Sequence, residues 1–264
     1  MNDSEWEKVL LEATERVRRV AGKIASGPRR AETVGVGAAG DMTSLADKAA
    51  EDELVAAIRR GGASILSEEA GLLEEKGTDT LAVVDPLDGS SNFERGIPFY
   101  CTSVAIVEGN EVAVGVIRDL VTGDAYAARR GAGAKMNGKP IACSGATEPG
   151  SSIVALDLSR SGRETSSSLV PLEAGSGRVV HYGANALELC YLASGRIDAF
   201  VDFRGKMRVT DVAAAVLIAQ EAGAKVTGRD GGKVKLTFDL RSRYSVAAAA
   251  TPRLLDSILS LARA

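Results

Sequence analysis

The sequence predicts an α/β protein of layered sheets and helices, not a single doubly wound sheet. Helical periodicity dominates the opening segment, short strands crowd the middle, and strand and helix alternate toward the C-terminus. Hydrophobic residues make up 45% of the chain and aromatics only 4%, so the interior is packed from Ala, Val and Leu. The 264 residues suffice for one large domain or two intimate lobes, since domains commonly span about 100–200 residues.

Trp6, Val9, Leu10, Ala13, Val17, Val20, Ala21 and Ile24 recur at helical spacing. Asp3 or Ser4 is the expected N-cap, and Gly27-Pro28 ends the run. "GVGAAGDM" (35–42) has no hydrophobic period and reads as a mobile loop. Ser44 and Asp47 have capping-box spacing and open a second helix to about Arg60. "ASILS", "LAVVD", "YCTSVAIVEG", "EVAVGVIRD" and "DAYAARRG" read as strands, with "EGNE" as a tight turn. The Ser- and Gly-rich stretch 162–177 reads as a linker. "NALELCYLASG" is a helix with Gly195 just past its end. "RIDAFVDF" is a strand, and Thr210 is the expected cap of a helix to about Ala222. "YSVAAAA" is a final strand, and Thr251-Pro252 opens the last helix.

The net charge of -3 suggests neither a nucleic-acid nor a membrane-surface partner. No stretch approaches the about 18 consecutive apolar residues of a membrane span. The start "MNDSEWEKVL" does not read as a signal peptide. The three cysteines, Cys101, Cys143 and Cys190, lack CxxC spacing, so reduced thiols in the cytoplasm are expected. The single histidine, His181, leaves little room for a Ser-His-Asp triad or a multi-His metal site.

The stretch "VVDPLDGSSNF" (83–93) carries the chemistry. A buried strand ends in Asp85, Pro86 sets the chain direction, and Asp88 turns back beside Asp85. Two carboxylates that close repel unless a cation lies between them. Mg²⁺ takes oxygen ligands, which Asp85, Asp88 and the Leu87 carbonyl could supply. Gly89, Ser90 and Ser91 would offer backbone N–H groups to a phosphate. The plainer reading is that both aspartates cap a turn. A haloacid-dehalogenase-type nucleophile fits less well, because its two aspartates stand two residues apart. Glu68 and Glu69 end another strand, where only one of two neighbours can face the site. Asp211 falls in the first turn of a helix, where interaction with the helix dipole would also account for it.

Together, "SEEAG", "VVDPLDGSSNF" and "VTDVAAAVLIAQEAGAKVT", in that order, resemble the signatures of the inositol monophosphatase and fructose-1,6-bisphosphatase superfamily. "DAFVDFRGKMRVTD" is similar to its archaeal-type, dual-activity members. The resemblance implies a five-layer α-β-α-β-α sandwich. An N-terminal lobe, 1–150, would carry most metal ligands and the phosphate loop. A C-terminal lobe, 151–264, would carry sugar contacts and the last ligand. It implies two or three Mg²⁺ ions, replaceable by Mn²⁺, and a metal-activated water. Glu68 would be a ligand that also orients the water, and Asp85 would bridge two metals. The Leu87 carbonyl would complete one metal, while Asp88 and Asp211 would hold the other. Ser90 would help activate the water, and 88–91 would hold phosphate oxygens. Asp41 and Asp47 would assist a third, weaker metal and the water, although Asp47 is equally well explained as the acid of the Ser44 capping box.

Tyr182, Gly183 and Asn185 would wall the pocket, and Asp202 would stand nearest the sugar hydroxyls. The chain departs from the family pattern by adding Arg204, Lys206 and Arg208. These suit a second phosphate on the substrate, or an exposed basic loop. Val180 stands where many relatives have an arginine. The expected substrates are small sugar phosphates, fructose-1,6-bisphosphate or inositol-1-phosphate, in a cytoplasmic homodimer. Alternatives are a 3′-phosphoadenosine 5′-phosphate or NADP phosphatase, and a catalytically silent sugar-phosphate-binding regulator that would lack a metal acid.

Overall fold

The computed structural model describes residues 1–262. Along the chain come α1 (Asp3–Ala25), β1 (Thr33–Val36), β2 (Met42–Ser44), α2 (Leu45–Gly61), β3 (Ser64–Ser67), β4 (Gly71–Leu73), β5 (Leu81–Asp88) and α3 (Ser90–Arg95). Then follow β6 (Cys101–Glu108), β7 (Glu111–Asp119), β8 (Ala125–Arg129), β9 (Ala134–Met136), β10 (Lys139–Pro140), β11 (Ile153–Leu156), α4 (Arg163–Gly175) and β12 (Arg178–Val180). The chain continues with α5 (Asn185–Ala193), β13 (Ala199–Met207), α6 (Val209–Glu221), β14 (Lys225–Thr227), β15 (Tyr244–Ala249) and α7 (Pro252–Leu261).

Two main sheets give five layers. An eight-stranded sheet runs β10-β9-β8-β7-β6-β5-β3-β4, and a five-stranded sheet runs β12-β11-β13-β15-β14. α1 and α2 cover one face of the larger sheet through Trp6, Leu10, Leu54 and Ile58. α5 and α6 lie between the sheets and share one cluster with both. α4 and α7 close the outer face of the smaller sheet. α6 is buried nearly all round, from Val209 to Ala219, as a helix sandwiched between two sheets must be.

Four local expectations change. Asn2, not Asp3 or Ser4, caps α1, in a reciprocal box with Glu5. Arg208, not Thr210, is the N-cap of α6. The 35–42 loop is the turn of a β1–β2 hairpin. Val34, Val36 and Met42 of that hairpin are exposed, so no buried face imprints a period on the sequence. The serine-rich 162–177 stretch forms α4, because Leu169 and Leu172 are fully buried against α7. Packing there outweighs Pro171 inside the helix, which removes one backbone donor.

Candidate active site

β3 and β5 pair in parallel, which sets Glu68 and Asp85 beside each other at their C-terminal ends. The β5–β6 register shifts between Asp85 and Asp88, and the bulge there turns the chain at Pro86-Leu87. Asp85 is buried, and its Oδ1 accepts the Leu87 N–H at 3.0 Å. Asp88 directs Oδ2 to the Ala186 N–H at the start of α5, 2.8 Å away. Asp211 spends Oδ2 on the Arg208 N–H, 2.7 Å away, closing the α6 cap. It is therefore a capping residue and also a member of the acid group.

Glu68, Asp85 and Asp211 each place a carboxylate oxygen within 4.8 Å of the others. Asp88 adjoins this trio electrostatically but stands outside it. Burial, then mutual repulsion, raises all of them. Glu68 reaches about 8, with Asp211 the principal repelling charge. Asp88 and Asp211 reach about 7, burial being partly offset by their backbone hydrogen bonds. Asp85 is pushed well above the usual carboxylate range by burial and by Glu68. Such a set of oxygens is costly to ionise alone and suits a hard divalent cation.

Asp47 is the capping acid of α2 and also faces Ser90. Oδ2 accepts from the Ser44 backbone and hydroxyl, completing the α2 cap. Oδ1 lies 3.3 Å from Ser90 Oγ. Ser90 Oγ also lies 2.8 Å from the Leu87 carbonyl, whose second lone pair stays open. Gly89 has φ +91°, and a Cβ there would meet Ala184, Phe99 and Tyr100 at 3.1 Å. Only glycine fits, so Ser90 and Ser91 start α3 with its first amides free of helical partners.

The segment 182–185, expected to wall the pocket, is tied to α3. Asn92 Nδ2 donates to the Tyr182 carbonyl at 2.7 Å and the Phe99 carbonyl at 2.8 Å, and Phe99 stacks on Tyr182. Gly183 packs against Asn92, and Asn185 begins α5 with a buried Oδ1 that has no partner. Asp202 and Arg204 form a bidentate ion pair at 2.9 and 2.6 Å, and Arg204 also reaches Asp157 at 2.5 Å. Lys206 is exposed, and its Nζ donates to the Arg160 carbonyl at 2.6 Å. Asp41, at the hairpin turn, pairs with Arg208 at 2.5 Å.

Three residues in this architecture, Glu51, Asp157 and Glu188, carry no role in the sequence reading, and Arg208 carries a different one. Glu51 is buried on α2, and its Oε1 accepts from Ser67 Oγ at 2.5 Å and Ala70 N at 2.8 Å, gripping both sides of the turn that carries Glu68. Its one visible signal is the four-residue spacing from Asp47, which puts both acids on one helix face. Asp157 and Glu188 hold His181 from its two sides, and no spacing announces them. Arg208 was visible only as one more basic residue of the 204–208 segment.

A family model described as the inositol monophosphatase family matches residues 4–264. The chain is 35% identical over 254 residues to a fructose-1,6-bisphosphatase/inositol-1-monophosphatase of Thermococcus kodakarensis, covering 96% of each chain. It is 32% identical to the Nus factor SuhB of Pasteurella multocida, covering 95% of this chain and 94% of that one. Among solved structures, a Pyrococcus horikoshii protein described as having similarities to inositol-1 monophosphatase superposes with a TM-score of 0.86 at 32% identity, covering 98% of both chains.

Proposed function

The chain belongs to the inositol monophosphatase family and is a phosphoric monoester hydrolase. From that premise we propose that it is a Mg²⁺-dependent phosphatase of small sugar phosphates, acting on fructose-1,6-bisphosphate, inositol-1-phosphate or both. The carrying observation is the trio of carboxylate oxygens within 4.8 Å, with Asp85 buried and Glu68 and Asp211 half-buried, held by three separate elements. Glu68, Asp85 and Asp211 would hold Mg²⁺ or Mn²⁺, with Asp88 and the Leu87 carbonyl adding ligands. Bound metal supplies a lowered water pKa and charge neutralisation on the phosphoryl oxygens.

The chain's own groups do the rest. The one Ser90 hydroxyl proton has two acceptors, the Leu87 carbonyl at 2.8 Å and Asp47 Oδ1 at 3.3 Å; with the Leu87 carbonyl given to the metal, the proton would go to Asp47 and Ser90 Oγ would accept one from water. The bare Gly89 backbone lets phosphate approach the amides of 89–91, with Asp88 at its edge. Tyr182, Gly183 and Asn185 wall the sugar. Lys206 is the exposed cation for a second phosphate, whereas Arg204 acts from behind by fixing Asp202 and Asp157. The same reading takes the protein as a cytoplasmic homodimer without nucleic-acid or membrane partners; no helix among the described residues is long and apolar enough to cross a membrane.

The test is phosphate release from both substrates in Mg²⁺, repeated after chelation. Release that chelation abolishes is the expected result. Release from neither substrate, or release that survives chelation, would sink the reading.

A further inference from the structure

Arg208 is a cation placed inside the acid cluster. Its Nη1 lies 2.5 Å from Glu68 Oε1, and its Nη2 lies 2.5 Å from Asp41 Oδ2. Nη2 also stands 3.4 Å from the Ala39 carbonyl, and Nε is buried without a partner. One guanidinium thus joins a carboxylate of the buried trio to a carboxylate of the hairpin turn. That turn leans on the same strand end: Ala38 N donates to the Glu69 carbonyl at 2.7 Å, and Ala39 N to the Glu68 carbonyl at 3.0 Å.

We propose that Arg208 is a resident counter-ion that occupies, as a side chain, a cation position between Glu68 and Asp41 and so holds the 37–41 turn closed over the acids. The proposal rests on the metal-site reading of Glu68, Asp85 and Asp211. Two converging carboxylates repel unless positive charge lies between them or they share a proton. The guanidinium fork gives each acid its own N–H, and its charge persists at every working pH. Its origin is fixed, because the Arg208 N–H donates to Asp211 Oδ2 at 2.7 Å. A single helix cap therefore delivers a ligand and a counter-ion together. The turn is closed before any divalent ion arrives, and one fewer ion completes the charge balance.

The experiment uses the full chain with and without Mn²⁺. Bound Mn²⁺ is counted by electron paramagnetic resonance, and hydrogen exchange is followed at the amides of 37–41. In metal-free Arg208→Gln these amides should exchange on the order of tenfold faster than in wild type. The variant should bind one more Mn²⁺ per chain, and that ion should restore protection. Arg208→Lys keeps the charge without the fork, so it should keep the wild-type ion count with partial protection; it also carries the test if the Gln variant does not fold. Equal Mn²⁺ counts with unchanged exchange in Arg208→Gln would overturn the proposal. So would fewer bound ions, which would make Arg208 a positioning residue for Glu68. Wild type that binds no Mn²⁺ would overturn this inference and the metal-dependent phosphatase reading together, whereas Mn²⁺ bound by wild type with no change in Arg208→Gln overturns this inference alone.

Discussion

The protein buries two groups of carboxylates and treats them oppositely. The first is Glu68, Asp85, Asp88 and Asp211, where burial and repulsion raise every member. The second is Asp157, Glu188 and Asp202, all inaccessible to solvent and all partnered by the chain itself. Arg204 binds Asp202 through two nitrogens and reaches Asp157 with one of them. His181 lies 3.4 Å from Asp157 and 3.2 Å from Glu188. Burial alone would lower the His181 pKa, but Glu188 and Asp157 outweigh it and raise it. The Tyr182 and Gly183 amides add hydrogen bonds to Glu188 at 2.6 and 2.9 Å. Only Asp85 of the first group is as buried as the second group, so the difference lies in what neutralises each acid. The second group is a structural network tied to the Tyr182–Gly183 backbone, with only Glu188 Oε2 left without a partner among its buried oxygens. The first is under-neutralised, and that deficit is what an exogenous cation can fill.

The largest expected effect breaks the first group. Asp85→Asn should cut phosphate release by about 10³-fold or more, as expected from losing several kcal/mol of metal-ion stabilisation. The metal-free variant should melt no lower than wild type, because a repelling buried charge is gone. A lower melting temperature would show that Asp85 is structural.

Arg204→Ala breaks the second group. It strands Asp157 and Asp202 without their main cation and should cost about 3 kcal/mol of stability, or roughly 10 °C in melting temperature. A variant that melts like wild type but loses bisphosphate preference would instead make Arg204 a substrate contact.

A pH titration, which changes no residue, sharpens the contrast. Glu68, Asp88 and Asp211 fold with pKa values of about 8, 7 and 7, against ordinary values of 4.5, 3.8 and 3.8. Between those limits the folded metal-free protein binds more protons than the unfolded chain. Stability is then fully present below about pH 4 and is lost as pH rises through 7 to 8. Melting temperature of the metal-free protein should fall between about pH 5 and 8, and saturating Mg²⁺ should flatten the curve. A metal-free curve that rises with pH would contradict the raised values.

Local chemistry was legible in the sequence. The strand ending in Asp85, the Ser44–Asp47 box, the Gly109–Asn110 turn and the Thr251-Pro252 helix start each depend on neighbours a few residues away. The motif order disclosed the acids of the candidate site, because three strand or helix ends carry them on short, recognisable runs. Composition misled at 162–177, where two leucines buried by a distant helix decide the conformation.

What the sequence determined by itself was the layered α/β class, most element positions and which carboxylates could meet. Only the tertiary structure decided how each charge is balanced. Glu68 and Arg208 stand 140 positions apart, Glu51 and Ser67 stand 16 apart, and His181 meets Asp157 and Glu188 from separate elements. Propensity and capping act over one turn of chain, whereas Coulomb interactions act through space with a strength set by burial. Whether an acid is paid by an arginine or left for a metal is therefore settled only when the sheets and helices pack.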